Sequence, residues 1–138
     1  MRFLDNVLSD FINKAPEQFK DAKYSAERER SVGLGVMGFH SFLQKHRIPL
    51  ESVMAKSWNK KIFKNIDEKV NQASKDLAEE RGACPDAAEY GYKERFSNKT
   101  AIAPTASISI ICGGASPGVE PIAANSYTCL LYTSPSPR

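Results

Sequence analysis

No apolar run in this chain approaches the ~18–20 residues of a membrane span, and its N-terminus lacks the apolar core of a secretory signal. No membrane partner is expected, and the cytoplasm is the default location. Cysteine is scarce. Cys84, Cys112 and Cys129 form no Cys-x-x-Cys and no zinc spacing with His40 or His46. An odd, scattered set points to reduced thiols without metal ligation. An excess of one charge is missing too: the net charge is +3, and basic residues stand among acidic ones, as in Glu27-Arg28-Glu29-Arg30. Such mixed faces are solvated, and no direct contact with nucleic acid is expected.

What is present is ordinary for a globular protein, with 138 residues, 41% hydrophobic and 25% charged. A domain of this size buries roughly 68–70% of its unfolded surface. Phe3, Leu4, Val7, Leu8, Phe11 and Ile12 recur at three- and four-residue spacing, which predicts an amphipathic helix ended by Pro16. Val32, Leu34, Val36, Met37, Phe39, Phe42 and Leu43 predict a buried helix. A longer helix is predicted after Pro49. Trp58, Ile62, Ile66, Val70, Ala73 and Leu77 share one face of it, and Arg81-Gly82 is its stop signal. Its length exceeds the usual range, so one break is expected. Residues 84–99 read as irregular connection.

Gly33-Leu34-Gly35-Val36-Met37-Gly38 matches the dinucleotide fingerprint G-x-G-x-x-G in form. That fingerprint needs a strand before it and a βαβ unit around it. Charged residues precede it here, so no dinucleotide site is expected. The glycines are read instead as places where a helix backbone approaches its neighbour closely.

Ala101-Ile102-Ala103 predicts a short strand, stopped at Pro104 and followed by Thr105-Ala106-Ser107-Ile108-Ser109, an apolar helical turn and Gly113-Gly114. A strand feeding a helix through Thr-x-Ser sets hydroxyls and unused N–H groups at a helix N-terminus, which suits an anion such as phosphate. Thr105-x-Ser107 is equally an ordinary helix cap, and the two roles can coexist. Ser109, one turn on, should point away. A single strand cannot form a sheet, so the chain is expected to sit inside a larger α/β sheet or barrel.

Three segments in this order resemble the large, catalytic subunit of ribonucleotide reductase, most closely class I forms from bacteria and phages. They are Glu27 to Gln44, Ala73 to Pro85, and Pro104 to Pro121. The resemblance runs from about Arg2 to Thr128. It implies an α/β fold, a piece of a ten-stranded α/β barrel that is mostly helical within this segment. It also implies reduction of ribonucleotides to deoxyribonucleotides by thiyl-radical chemistry, with a cysteine pair supplying two electrons. The implied substrate-phosphate grip is Pro104, Thr105, Ala106, Ser107 and Ile108. Thr105 and Ser107 would offer hydroxyls, and Ala106, Ser107 and Ile108 would offer N–H donors. His40 is expected to be packed or hydrogen-bonded, and Glu120 before Pro121 to be structural.

The implied partners are a ribonucleoside di- or triphosphate, a radical-generating small subunit, thioredoxin or glutaredoxin as reductant, and a second large subunit. No cofactor is expected in this chain. A diiron-type radical cofactor would lie on the small subunit of a class I enzyme, whereas a class II enzyme would use adenosylcobalamin. The family's Asn-x-Cys-x-Glu radical site has no counterpart here, so no catalytic residue is named. The polypeptide as given is expected to show no turnover. Two alternatives stay open, a non-enzymatic phosphate- or nucleotide-binding helical module and a different radical enzyme of similar barrel, such as a B12-dependent reductase or a glycyl radical enzyme. Finally, Cys129-Leu130-Leu131-Tyr132-Thr133-Ser134-Pro135-Ser136-Pro137-Arg138 is what a transposon-end sequencing adapter yields on translation. Those ten residues are expected to be read-through, which leaves 1–128 as the barrel piece.

Overall fold

In the computed structural model, residues 1–122 are described; Cys129 and the expected read-through at 129–138 lie outside them. The first apolar stripe builds α1 (Arg2–Lys14), which ends where Ala15 turns extended before Pro16. Its two apolar rows have different surroundings. Leu4, Leu8 and Ile12 are partly or fully buried, while Phe3, Val7 and Phe11 are exposed. A 3-10 turn (Glu17–Phe19) leads into α2 (Lys20–Glu29), which packs between α1 and the short α5 (Pro85–Glu89). Arg28 of α2 reaches Asp86 at 2.5 Å and Glu89 at 2.7 Å, bracing that second contact.

The helix predicted over residues 32–43 forms only in its last part, as α3 (Phe39–Lys45). Residues 31–37 run extended instead, beside residues 97–101. Val32 N–H donates to Asn98 O, Leu34 N–H to Lys99 O and Ala101 N–H to Leu34 O, at 3.0, 3.0 and 3.1 Å. The result is a parallel bridge, Leu34 to Thr100. Gly33, Gly35 and Gly38 weaken helix formation within six residues, and the backbone pairing uses their small size. A Cβ on Gly33 would sit 2.9 Å from Ala101 Cβ, and one on Gly35 would collide with Ala101 O. The close approach expected of these glycines is therefore real, but it is made by extended chain. The strand predicted at 101–103 does not form: the bridge falls at Thr100, and beyond it only Ala101 N–H bonds back, to Leu34 O, before Pro104 and α6.

The long helix, α4 (Val53–Arg81), runs without the expected break over 29 residues, roughly 40 Å. No Gly or Pro lies inside it to kink it. Ser52 caps its start, its hydroxyl accepting from Ala55 N–H at 3.1 Å, and Gly82 ends it at φ 87°. Residues 84–99 are not wholly irregular, because Pro85 at a first-turn position nucleates α5. The main core joins Phe39, Leu43 and Ala55, with Phe42, Ile48, Leu50, Ile62 and Val119 against them. Leu43 is fully buried, a contribution of about 1.5–3 kcal/mol.

Candidate functional site

The Thr-x-Ser turn opens α6 (Ala106–Ile111), with Thr105 at the N-cap position. The first intrahelical bond runs from Ser109 N–H to Thr105 O at 2.8 Å. The N–H groups of Ala106, Ser107 and Ile108 precede it, outside the helical ladder. Pro104, Ala106, Ser107 and Ile108 are exposed and Thr105 is half-buried. Ser109 turns into the protein as expected, buried and donating to Ala106 O at 2.7 Å.

Thr105 does not cap α6 with its side chain. Its hydroxyl accepts instead from Gly118 N–H at 3.0 Å. A hydroxyl that accepts one bond still carries its own proton to donate, so the contact holds the Thr105 side chain while leaving a donor available. The chain returns to make this contact through Gly113 and Gly114, both at positive φ. Gly114 and Ala115 N–H groups close the end of α6 on Ser109 O, at 3.0 and 3.1 Å.

This returning segment is tied to α3 by four hydrogen bonds. Gly38 N–H donates to Ser116 O at 2.7 Å. Ser41 N–H donates to Ser116 Oγ at 3.1 Å, and Ser116 N–H donates to Ser41 Oγ at 2.8 Å. His40 Nδ1 accepts from Ile122 N–H at 3.0 Å, the hydrogen-bonded histidine the sequence predicted. Glu120 is exposed, and Gly118 lies where a Cβ would strike its carboxylate.

A second polar cluster was not foreseen. Asp5 is fully buried and takes three guanidinium groups. Arg30 donates to Oδ1 at 2.6 Å, Arg81 to Oδ2 at 2.7 Å and Arg95 to Oδ1 at 3.0 Å. Burial by itself would raise the Asp5 pKa. Hydrogen bonds from Arg95, Arg30 and Arg81 outweigh that and hold it below the ordinary carboxylate range. Arg95 also donates to Arg81 O and Gly82 O at 3.1 and 3.0 Å, so the negative end of α4 offsets part of the excess cationic charge. Arg30 has φ 46°, a left-handed conformation uncommon in a non-glycine residue. The one available signal was Asp5 itself, a carboxylate in register with Leu4, Leu8 and Ile12.

An apolar groove of about 430 Å³ lies beside the Leu34–Thr100 bridge, between Leu34, Gly35, Thr100 and Ile102 and, from α4, Phe63 and Ile66. Residues 104–108 are not part of its lining. Among the described residues no group of three His, Cys, Asp or Glu could hold a metal ion. Cys84 is buried and Cys112 exposed, both as free thiols. No helix among them is long and apolar enough to cross a membrane.

The family model for the barrel domain of ribonucleotide reductase matches residues 1–94. The large subunit of ribonucleoside-diphosphate reductase from Invertebrate iridescent virus 3 is 48% identical over 125 residues, covering 91% of this chain and 20% of that protein. A match of that length within 138 residues necessarily spans 104–108. A vitamin B12-dependent ribonucleoside-diphosphate reductase from Thermoplasma acidophilum is 42% identical, covering 91% of this chain and 16% of that protein. Among solved structures, the class Id alpha subunit from Actinobacillus ureae superposes with a TM-score of 0.84 at 42% identity. That match covers 89% of this chain and 24% of that one. The chain thus spans about a fifth of the length of such relatives.

Proposed function

The chain belongs to the ribonucleotide reductase family as part of its barrel domain, and on that premise we propose that the full-length protein reduces ribonucleotides to deoxyribonucleotides in the cytoplasm. Within it, this stretch grips the substrate's phosphates through Pro104, Thr105, Ala106, Ser107 and Ile108. The observation that carries the reading is the first turn of α6. Three N–H groups there precede the first helical bond, beside a threonine hydroxyl held by Gly118. Backbone N–H groups at a helix start favour an anion both by hydrogen bonding and by the helix dipole. Pro104 fixes the entry to the turn without adding a competing side-chain charge.

The phosphate grip orients the ribose; the reacting cysteines are supplied by parts of the protein beyond this stretch. Radical generation belongs to a separate group, a diiron-type cofactor on a small subunit or adenosylcobalamin. The relatives include both large subunits of the first kind and B12-dependent enzymes. The wider assembly is a large-subunit dimer reduced by thioredoxin or glutaredoxin, with a ribonucleoside di- or triphosphate as substrate. Residues 1–128 form the barrel piece and 129–138 are read-through. The matches to relatives cover 91–93% of the chain in the longer alignments, which leaves a remainder of about that tail's size.

The test is made in the full-length protein. The second N–H of a helix makes no intrahelical bond, so Ser107→Pro removes that donor, together with the hydroxyl, without breaking a bond of α6. A hydrogen bond to a charged group contributes about 1.5–3 kcal/mol, so KM for the ribonucleotide should rise roughly ten- to a hundredfold. Ser107→Ala, which removes only the hydroxyl, should have the smaller effect. Unchanged KM for both variants would overturn the phosphate role.

A further inference from the structure

The glycine that starts α3 has no side chain with which to cap it. Gly38 sits at φ 82°, and the first intrahelical bond runs from Phe42 N–H to Gly38 O at 2.9 Å. The N–H groups of Phe39, His40 and Ser41 therefore need acceptors from outside the helix. In an ordinary capping box, the residue before the helix accepts from the third helical N–H. The third helical side chain in turn reaches back to that residue's own N–H. Here Ser41 is the third helical residue, and Ser116 makes both bonds from a position 75 residues later in the chain. Ser116 is fully buried, and its carbonyl also takes Gly38 N–H at 2.7 Å.

We propose that Ser41 and Ser116 form a split capping box that positions the phosphate-gripping turn, so that both serines are positioning residues for substrate binding. The proposal rests on the phosphate reading of residues 104–108. The route is short and continuous. The box fixes Ser116, and Gly118 two residues later donates to Thr105 Oγ1 at 3.0 Å. Thr105 is the N-cap residue of α6, so its position sets where the N–H groups of Ala106, Ser107 and Ile108 point. On the far side, Ile122 N–H on His40 Nδ1 prevents the segment from swinging away from α3. A displaced Ser116 would release Gly118 from Thr105 without touching the turn itself. α3 in turn is anchored in the core by Phe39 and Leu43, so a rigid element holds an exposed loop.

The experiment measures KM and kcat of the full-length reductase for Ser41→Ala, Ser116→Ala, the double variant and Ser41→Thr, with Ser107→Pro alongside. Either alanine should raise KM about tenfold, the size expected when a buried hydrogen-bonding group loses its partner, and should change kcat less than about twofold. The double variant should match the worse single one, because both remove one device. Ser41→Thr keeps the acceptor and should return KM to within about twofold of the unmodified protein. Unchanged KM for Ser41→Ala and Ser116→Ala, with Ser107→Pro still raising it, would overturn the positioning role and leave the phosphate reading standing. If Ser107→Pro is silent as well, the phosphate reading fails and takes this proposal with it. Hydrogen exchange on the unmodified protein covers the case in which the alanine variants do not fold. Amide exchange at Ser41, Ser116 and Gly118 should slow together on saturation with a ribonucleoside diphosphate; exchange at these three that ignores the nucleotide would overturn the coupling.

Discussion

Around Asp5, one buried carboxylate gathers guanidinium groups from the end of α2, the end of α4 and the segment after α5. Around Ser116, by contrast, the joints are uncharged: two serine hydroxyls, a histidine nitrogen and backbone groups. The Asp5 end is closed, with its carboxylate hydrogen-bonded by all three guanidinium groups and Ile12, Leu77 and Ala78 buried on the same helices, α1 and α4. At the other end Ile102, Ile108, Ile110 and Ile111 are exposed, the last at 84%. Charge fixes the first region, where three elements must be held against one another. The second region leaves the first three N–H groups of α6 outside the helical ladder, as the proposed phosphate grip requires.

That contrast breaks most directly at Asp5. Removing one partner of a buried ion cluster leaves uncompensated charge and costs about 3–5 kcal/mol. Asp5→Ala should therefore lower the denaturant midpoint of the full-length protein more than any single change at Ser41, Ser116 or Ser107. Equal losses at the two ends would erase the distinction. The same carboxylate predicts an acid limb. Its folded pKa lies below the unfolded value of 3.8, so its stabilisation is complete above that value and is lost as pH falls through the folded pKa. Asp5→Asn should flatten stability against pH below about 4; a profile identical to the unmodified protein's would show that the cluster does not carry acid sensitivity. A smaller effect is expected at the Leu34–Thr100 bridge. Gly35→Ala drives a methyl into Ala101 O and should cost about 1–3 kcal/mol. Gly82→Ala meets open space, so its cost, about 1–3 kcal/mol, comes from the backbone alone, held at φ 87° and ψ 151° where only glycine is at ease. An unchanged thermal midpoint for Gly35→Ala would remove the close approach as the reason for Gly35.

Much of the local structure was legible. The apolar periodicity of residues 3–12 and 58–77 located α1 and α4, and Gly82 marked the stop of α4, because period and capping are written in adjacent residues. The turn at Pro104 to Ser109 was legible for the same reason. The segment at residues 32–38 misled: its apolar content fits a helix, but three glycines and a partner 66 positions away turn it into extended chain. The Asp5 cluster and the Ser41–Ser116 box were illegible, since no spacing rule links Asp5 to Arg95 or Ser41 to Ser116.

By itself, then, the sequence determined where α1 and α4 run, where the turn proposed to grip phosphate begins, and, through the ordered motifs, the family. Tertiary structure decided which carboxylate is buried, which residues cap α3, and what holds Thr105 in place. The physical reason is range. Helical period, proline and glycine stops and first-turn donors act over a few residues, whereas burial and cross-chain hydrogen bonds depend on which distant segments the fold brings within about 3 Å.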